Sequence, residues 1–310
     1  MSRTIVITGA TGFIGSMLAK RLASKDWHIR ALVRSASLGK LPKDIETEWV
    51  TGDLENIESL KKLVAGADAI VHCAGAVRGA SQDDFNRINV DGVARMVQIA
   101  ASQNPMSRFL LISSLAAREP QLSFYAASKR GGEKALASLS GDMFWGVLRP
   151  PAVYGPGDRE MLPLFQSMFR GLAPVIGSDK NRVSLLYVED LADAIVSWLH
   201  NCNHSECLYE LHDGHKRGYS WQEIIDVVER LKGKTIYRVN IPVSFVKLTA
   251  SVNLMAAKFF GGSPMLTPGK VKELTHPDWV ADNDQLSSET GWRPKVLLEE
   301  GLRNILGPIM

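Results

Sequence analysis

A glycine-rich turn near the N-terminus constrains the fold more than any other stretch of this sequence. Residues 8–15 read Thr-Gly-Ala-Thr-Gly-Phe-Ile-Gly, directly after the apolar run 5–7 and directly before apolar residues at helical spacing in 17–22. This order predicts a strand, a tight turn and a helix at the start of the chain. Glycine allows positive φ and the close approach of a ligand, and the N–H groups at a helix start attract phosphate.

The spacing of this turn is Gly-x-x-Gly-x-x-Gly, a variant of the more common Gly-x-Gly-x-x-Gly pattern of dinucleotide sites. An ordinary strand-to-helix connection uses similar residues, but the position at the extreme N-terminus favours a dinucleotide. We therefore predict that six residues of the turn bind a cofactor: Gly9, Thr11, Gly12, Phe13, Ile14 and Gly15.

Strand and helix patterns alternate through the first half of the chain. Apolar runs predict further strands at 29–34, 46–50, 68–75, 109–114 and 143–148. The stretches between them have the length of crossover helices in a parallel sheet. The sequence therefore predicts an α/β fold with a doubly wound, Rossmann-like parallel sheet, with ligands outside the carboxyl ends of its strands.

The regular alternation ends near residue 151, and shorter elements follow. We predict a dinucleotide-binding domain over 1–155 and a smaller, interleaved, mainly substrate-binding portion over 156–310, with some segments returning to the sheet. Within it, the apolar stretch 242–262 contains Lys247 and Lys258, which makes it a poor membrane-spanning helix. We predict a buried or cleft-lining helix here, with contact to a membrane surface as the less favoured alternative.

The composition excludes several classes of function. The net charge of +3 is small beside 36 basic and 33 acidic residues, and no basic block contains interleaved aromatic residues, so nucleic acid is not a predicted partner. Cys73, Cys202 and Cys207 are too few for a disulfide framework, and the start lacks a secretory pattern; both predict a cytoplasmic protein. The histidines and cysteines of 200–207 have no familiar zinc spacing, so no metal is predicted.

Two further patterns carry side chains suited to chemistry. Tyr125 and Lys129 are four residues apart in a predicted helix, so the phenol and the ammonium share one face. A nearby cation favours the phenolate and lowers a tyrosine pKa from its reference of about 10, which makes Tyr125 a candidate general acid or base. Ser113 and Ser114 end a predicted strand, where a hydroxyl could stabilise charge on a substrate oxygen.

These patterns occur in order, together with several shorter ones. The motifs are the turn 8–15, Gly-Asp-Leu at 52–54, His-Cys-Ala-Gly at 72–75, Asn-Val-Asp-Gly at 89–92, the serine pair 113–114, Tyr-Ala-Ala-Ser-Lys at 125–129, Arg-Pro-Pro-Ala-Val-Tyr-Gly-Pro-Gly at 149–157, Tyr-Val-Glu-Asp at 187–190 and Gly-Trp-Arg-Pro at 291–294. With them the chain resembles, nearly end to end, an extended short-chain dehydrogenase/reductase of the NAD(P)-dependent epimerase/dehydratase and 3β-hydroxysteroid dehydrogenase/dihydroflavonol reductase kind. The motifs are specific for this superfamily but not for a substrate.

The resemblance implies roles for three catalytic residues. Tyr125 would exchange a proton with the substrate oxygen while hydride moves to or from the nicotinamide. Lys129 would hold the nicotinamide ribose and depress the tyrosine pKa. Ser114 would orient the substrate, and Ser113 matches that role less well.

The resemblance also implies cofactor contacts along the sheet edge. They are Asp53 and Leu54 at the adenine, Ala74 and Gly75 at the ribose and phosphate, and Pro150 and Val153 at the nicotinamide. Asn89 and Asp190 match structural positions, and we expect Asp190 to cap a helix over 191–199.

The chain departs from the family pattern in two places. Ten residues separate Ser114 from Tyr125, where sugar-nucleotide epimerases usually carry a longer insertion. The usual acidic residue after strand two is replaced by Arg34, with Lys40 six residues further on. Arginine can pair with a 2′-phosphate that an acid would repel, so we predict NADP rather than NAD.

The leading hypothesis from the sequence is an NADP-dependent oxidoreductase that interconverts a ketone and a secondary alcohol on a small or mid-sized, partly apolar substrate. The first alternative is a sugar-nucleotide epimerase or dehydratase with tightly held NAD(P), which would need an anion-binding cluster. The scattered candidates for that cluster are Arg159, Arg170, Arg182 and Arg217. A non-catalytic NADP-binding sensor or assembly factor is a third alternative. The resemblance also implies a homodimer.

Overall fold

The computed structural model of the chain describes residues 3–23, 27–41, 45–103 and 107–307. Its strands are β1 (Arg3–Thr8), β2 (Trp27–Val33), β3 (Glu48–Thr51), β4 (Ala69–His72), β5 (Arg108–Ile112), β6 (Trp145–Arg149), β7 (Ala152–Tyr154), β8 (Leu172–Ile176), β9 (Arg182–Val183), β10 (Leu185–Tyr187), β11 (Cys207–Glu210), β12 (Tyr237–Ile241) and β13 (Asp278–Trp279). Its α-helices are α1 (Phe13–Ala23), α2 (Ile57–Val64), α3 (Gln82–Asn89), α4 (Asp91–Ala101), α5 (Phe124–Leu139), α6 (Leu162–Phe169), α7 (Val188–Asn201), α8 (Trp221–Lys232), α9 (Val243–Phe260), α10 (Pro268–Thr275), α11 (Asp284–Thr290) and α12 (Leu298–Leu306). Short 3-10 helices cover Ser35–Lys40 and Leu115–Arg118.

Seven of the described strands form one parallel sheet in the order β11-β6-β5-β4-β1-β2-β3. In its centre, Ile5 of β1 lies opposite Ile29 of β2 on one side and Ala69 of β4 on the other. Separate hydrophobic cores cover the two faces, which explains why the strands are apolar on both sides. The predicted doubly wound sheet is confirmed. Its strand order reverses between β1 and β4, where such sheets open a crevice at their carboxyl ends.

Several strand ends differ from the prediction, and two of them have identifiable reasons. The predicted fourth strand stops at His72, because Asn89 holds the loop that follows. The Asn89 side chain accepts a hydrogen bond from the Ala76 N–H (2.8 Å) and donates one to the Ala76 carbonyl (2.9 Å). β6 continues to Arg149, whose side chain is buried in an ion pair with Glu133.

Smaller parallel pairs follow the main sheet in the chain. β7 pairs with β10, β8 with β12 and β9 with β13. Together with α6, α8 and α12 they enclose a third core, which contains Phe165, Val228 and Leu302. β11 lies back in the main sheet beside β6, so the later part of the chain completes the edge of the earlier part.

Helix α9 is the main correction to the sequence prediction. The expected buried or cleft-lining helix lies instead on the surface, where Val246 and Ala250 are its only buried residues. Its 18 residues have a mean hydropathy of 1.2, and it is the one helix among the described residues that is long and apolar enough to cross a bilayer. The error arises because an apolar pattern does not reveal whether both faces of a helix have partners.

The expected cap at Asp190 is also wrong. α7 begins at Val188, so Asp190 lies inside the helix. Its buried carboxylate accepts hydrogen bonds from the N–H groups of Lys295 (3.0 Å) and Val296 (2.9 Å). Asp190 therefore fastens α7 to the segment that leads into α12.

A buried network joins the carboxyl ends of β5 and β6 to α5. Arg149 donates two hydrogen bonds to the Glu133 carboxylate, at 2.8 and 2.6 Å, and the Ser113 hydroxyl donates a third at 2.6 Å. The Arg149 and Glu133 side chains are only 7% and 6% exposed. Moving α5 away from the strand ends would separate the buried pair and leave a charge without its partner, which is costly. The network therefore fixes the position of α5 against the strand ends.

We expect Glu133→Ala to lower the free energy of unfolding by about 3–5 kcal/mol, because it removes the hydrogen-bonded partner of the buried Arg149 and leaves only Glu210, 4.0 Å away. The control is Glu299→Ala, which removes exposed ion pairs to Arg230 and Arg303 and should cost about 0–1 kcal/mol. Urea unfolding followed by circular dichroism measures both. Equal losses in the two variants would contradict the proposed importance of the network.

Candidate active site

The glycine turn is closely packed against its own backbone and against the end of β4. Gly9 has φ +72°, and a Cβ there would lie 2.8 Å from the Ala74 nitrogen. A Cβ on Gly15 would lie 2.3 Å from the Gly9 carbonyl oxygen. Both positions therefore require glycine, because larger residues would separate the turn from the sheet.

The start of α1 is open to a ligand. Gly12 is exposed and has no side chain to cover the first N–H groups of the helix, which lack intrahelical partners. No acidic residue lies in the first turn of α1. Thr11 and Phe13 are half-buried beside it. This arrangement fits the pyrophosphate of a dinucleotide, since N–H groups and the helix dipole face the anion without a competing carboxylate.

A buried histidine supports the loop after β4. The Ala74 N–H donates to the Thr8 hydroxyl (3.2 Å), and that hydroxyl lies 3.1 Å from His72 Nδ1. Burial lowers the pKa of His72 to about 3, so the ring is neutral. The Ala74 and Gly75 backbone is thereby held beside Gly9, at the crevice of the sheet.

Arg34 leaves β2 at the same edge and has an exposed side chain. Its guanidinium makes no hydrogen bond or ion pair with any residue in the described ranges, while its carbonyl accepts from the Ser37 N–H (2.7 Å). The side chain of Lys40, which ends this 3-10 helix, lies outside the described residues.

The two predicted adenine contacts follow β3 and have different environments. The exposed Asp53 accepts hydrogen bonds from the N–H groups of Glu55 and Asn56, at 2.9 and 3.0 Å. The Leu54 side chain is buried in the core, and its carbonyl accepts from Arg95. The Leu54 side chain therefore packs within the protein and is not available to contact a cofactor.

Tyr125 and Ser114 meet in front of the strand ends. Ser123 caps α5 by accepting a hydrogen bond from the Ala126 N–H (2.9 Å), which places Tyr125 in the first helical turn. Ser114 lines the same cavity as Tyr125, and its side chain acts to lower the Tyr125 pKa. Ser113 instead points into the core at Glu133, so the two serines of the pair have opposite orientations.

The Lys129 side chain lies at the end of β5. Its ammonium donates a hydrogen bond to the Ile112 carbonyl (2.7 Å), and burial lowers its pKa to about 8. The same ammonium would lie 3.5 Å from a Cβ on Gly75, so it faces the cofactor crevice. Burial raises the pKa of Tyr125, and the opposing effects come from the Ser114 side chain and the charge of Lys270.

Lys270 was missed by the sequence prediction. It lies on α10 and pairs with the buried Glu273 (2.9 Å), whose other carboxylate oxygen accepts from the Ser123 hydroxyl. Burial alone would lower the pKa of Lys270, but the charge of Glu273 raises it above its usual value. The ammonium therefore remains charged beside Tyr125.

A cavity of about 540 Å³ joins these groups. Ile14 from the glycine turn, Pro150 and Val153 line it together with Ser114 and Tyr125. The opposite wall comes from the later part of the chain, where apolar side chains dominate: Leu164, Phe165, Leu185, Ile224, Met265 and Leu266.

The charges in the cavity wall are neutralised. Among the described lining residues, four are lysine, arginine or glutamate, and each is in an ion pair: Lys270 with Glu273, Arg182 with Glu223, and Glu160 with Arg78. Of the four arginines considered for a diphosphate, Arg182 alone lines the cavity, and the structure does not bring the four together. No group of three or more potential metal ligands occurs within the described ranges.

The chain is similar to known enzymes along most of its length. The profile of the NAD dependent epimerase/dehydratase family matches residues 5–209. The ceramide reductase of Caulobacter vibrioides is 38% identical over 278 residues, which are 89% of this chain and 85% of the relative. A UDP-glucose 4-epimerase of Vibrio cholerae is 26% identical over 332 residues, or 98% and 94% of the two chains.

A solved structure with the same fold is the UDP-glucuronic acid 4-epimerase of Bacillus cereus in complex with NAD. It has a TM-score of 0.75 and 20% identity, over 97% of this chain and 96% of that one. At this identity the likeness supports the fold alone.

We expect Lys270→Met to raise the pKa of Tyr125 further, because it removes a stabilising cation and leaves the charge of Glu273 unopposed. Absorbance titration of tyrosinate, with Tyr125→Phe as the blank, measures this pKa directly. Lys272→Met is the matched control, since Lys272 is an exposed lysine on the same helix. An unchanged Tyr125 titration in the Lys270 variant would contradict the electrostatic contact.

Proposed function

The chain belongs to the NAD dependent epimerase/dehydratase family, and we propose that within it the protein is an NADP-dependent reductase of a ketone on a substrate with an apolar chain. The family and its homologues are NAD(P)-dependent reductases and epimerases, so the protein is an enzyme of that kind. One observation carries the finer proposal: the cavity in front of Ser114 and Tyr125 is mainly apolar, and its charged side chains are already paired.

The cofactor would lie along the carboxyl edge of the sheet. The open start of α1 would hold the pyrophosphate, and the backbone of Ala74 and Gly75 would face the adjoining ribose. The free guanidinium of Arg34 would pair with a 2′-phosphate. Lys129 would reach the nicotinamide ribose. When bound, NADPH supplies a hydride to the carbonyl carbon.

The protein's own residues handle the carbonyl oxygen. Ser114 would donate a hydrogen bond to it and stabilise the charge that develops there. Tyr125 would then donate its phenolic proton, which gives the alcohol. Because burial raises the pKa of Tyr125, the phenol stays protonated at neutral pH, a state suited to reduction rather than to alcohol oxidation.

The substrate class follows from the far wall of the cavity. Side chains such as Phe165 and Leu266 would contact hydrocarbon, and they offer little to a sugar diphosphate. The similarity to a ceramide reductase agrees with a substrate that carries a long apolar chain. A sugar-nucleotide epimerase would instead need unpaired cations in this wall.

We expect NADPH consumption with long-chain 3-ketolipids in detergent and none with UDP-glucose. Tyr125→Phe should lower kcat by about 10²–10⁴-fold, because the proton donor is lost, while NADPH affinity changes little. Stopped-flow fluorescence measures the affinity for NADPH. The loss of NADPH absorbance measures the rate of reduction. Turnover of UDP-glucose with retained cofactor would establish the epimerase instead, and unchanged ketone reduction in Tyr125→Phe would contradict the assigned role.

Arg34→Ala should weaken NADPH binding about ten- to hundredfold and leave NADH binding unchanged, since only NADPH carries the 2′-phosphate. Isothermal titration calorimetry with both cofactors gives the two affinities. Arg303→Ala, on the exposed surface of α12, is the control and should bind both as wild type does. Equal affinity of the wild type for the two cofactors would remove the argument for NADP.

A further inference from the structure

Helix α9 packs on the protein through one face only. Val246 and Ala250 are buried there and contact Val271 of α10. Ile176, Ile241 and Leu266 complete this small cluster. The inner face of α9 therefore has a partner, and it holds the helix flat on the surface rather than leaving it free to cross a bilayer.

The opposite face of α9 is apolar, and none of the residues that the structure describes covers it. Five residues at spacings of three and four form a single row along the helix, and their exposed fractions are 63% for Phe245, 62% for Leu248, 55% for Val252, 57% for Met255 and 79% for Phe259. We call this row the outer stripe. Soluble monomers rarely expose such a contiguous apolar surface unless it binds something.

The apolar surface continues onto the strand that leads into α9. Tyr237 of β12 is 79% exposed and lies opposite Leu172 of β8, which is 54% exposed. Val239, two residues further on, is also exposed. Phe260 at the far end of the helix is 90% exposed. The exposed apolar residues therefore extend well beyond a single helical turn.

The basic residues of this region outnumber the acidic ones. The 43 residues from 230 to 272 contain eight of the chain's 36 basic residues and none of its 33 acidic ones. Three of the eight pair with acidic residues from elsewhere in the chain: Arg230 with Glu299, Arg238 with Asp179 and Lys270 with Glu273. Lys234, Lys247, Lys258 and Lys272 are exposed. An apolar surface surrounded by lysines is complementary to an anionic lipid surface.

The same charge argues against a second copy of the chain as the occupant. A symmetric dimer through the outer stripe would place two identical basic regions face to face, with no acidic residue from either stretch to pair them. Like charges in an interface oppose association. Anionic lipid head groups would instead attract the exposed lysines.

The segment that follows α9 lines the active-site cavity. Two glycines, Gly261 and Gly262, end α9 with positive φ, and the chain then passes Pro264, Met265 and Leu266, all of which line the cavity. The apolar surface and the apolar cavity are thus separated by a few residues of the same segment.

We propose that the outer stripe and the basic stretch around it bind the surface of an anionic phospholipid bilayer, with α9 lying in the interface and the segment 264–266 connecting it to the cavity. This surface would let a substrate with an apolar chain enter the cavity from the bilayer. That entry route rests on the proposed function. The docking itself requires neither substrate nor turnover.

The test is sedimentation of the full-length protein with vesicles, without cofactor or substrate. We expect binding to vesicles of phosphatidylcholine and phosphatidylglycerol in equal amounts, weaker binding to phosphatidylcholine alone, and further weakening by salt. Leu248→Gln/Phe259→Gln should weaken binding to the anionic vesicles at least about tenfold. The matched control is Ile57→Gln/Leu297→Gln, two similarly exposed apolar residues elsewhere, which should bind as wild type.

Unchanged thermal unfolding and NADPH affinity establish that the stripe variant is folded. No binding of the wild type to anionic vesicles, or equal binding of the stripe variant, would overturn the proposal. A dimer in sedimentation velocity that dissociates only in the stripe variant would identify a second copy as the occupant instead.

Activity assays separate this proposal from the proposed function. The stripe variant should have a raised KM for a long-chain ketone in vesicles and an unchanged KM for a short ketone in solution. Vesicle binding without ketone reduction would contradict the proposed function alone. Ketone reduction in detergent by a protein that binds no vesicles would contradict the docking alone.

Discussion

The buried ion pair between Glu133 and Arg149 sets the geometry on which the rest of the site depends. It joins α5 to the end of β6, and Ser113 adds the end of β5. With three elements fixed at one point, Tyr125 and Ser114 are held in the wall of one cavity. The attraction persists because both charges are removed from water and hydrogen-bonded to each other.

Burial then determines the protonation states in front of those strand ends. It keeps Tyr125 a phenol, makes Lys129 easier to deprotonate and holds His72 neutral. Lys270 partly offsets the effect on Tyr125 from the opposite wall of the cavity. The chemistry of the site is therefore shared between the sheet and the later part of the chain, because neither wall alone supplies both the proton donor and the cation that adjusts it.

The sequence predicts best where structure is local. The turn 8–15 and the pair Tyr125–Lys129 depend on neighbouring residues, so their placement on a βα turn and on one helix could be read from spacing. Lys270 could not be found this way, because it approaches Tyr125 only through the packing of α10 and carries no motif. Asp190 bonds groups 105 and 106 residues away, which no capping pattern reveals. The exposure of α9 likewise depends on what covers each face.

Helix α10 connects the surface helix α9 to Tyr125. Val271 packs beneath α9, while its neighbour Lys270 acts on Tyr125. Glu273, on the next turn, accepts a hydrogen bond from Ser123, the residue that caps α5. Because α10 is thus fastened to the start of α5, the helix that supports α9 and the helix that carries Tyr125 are joined by hydrogen bonds through one residue, Ser123.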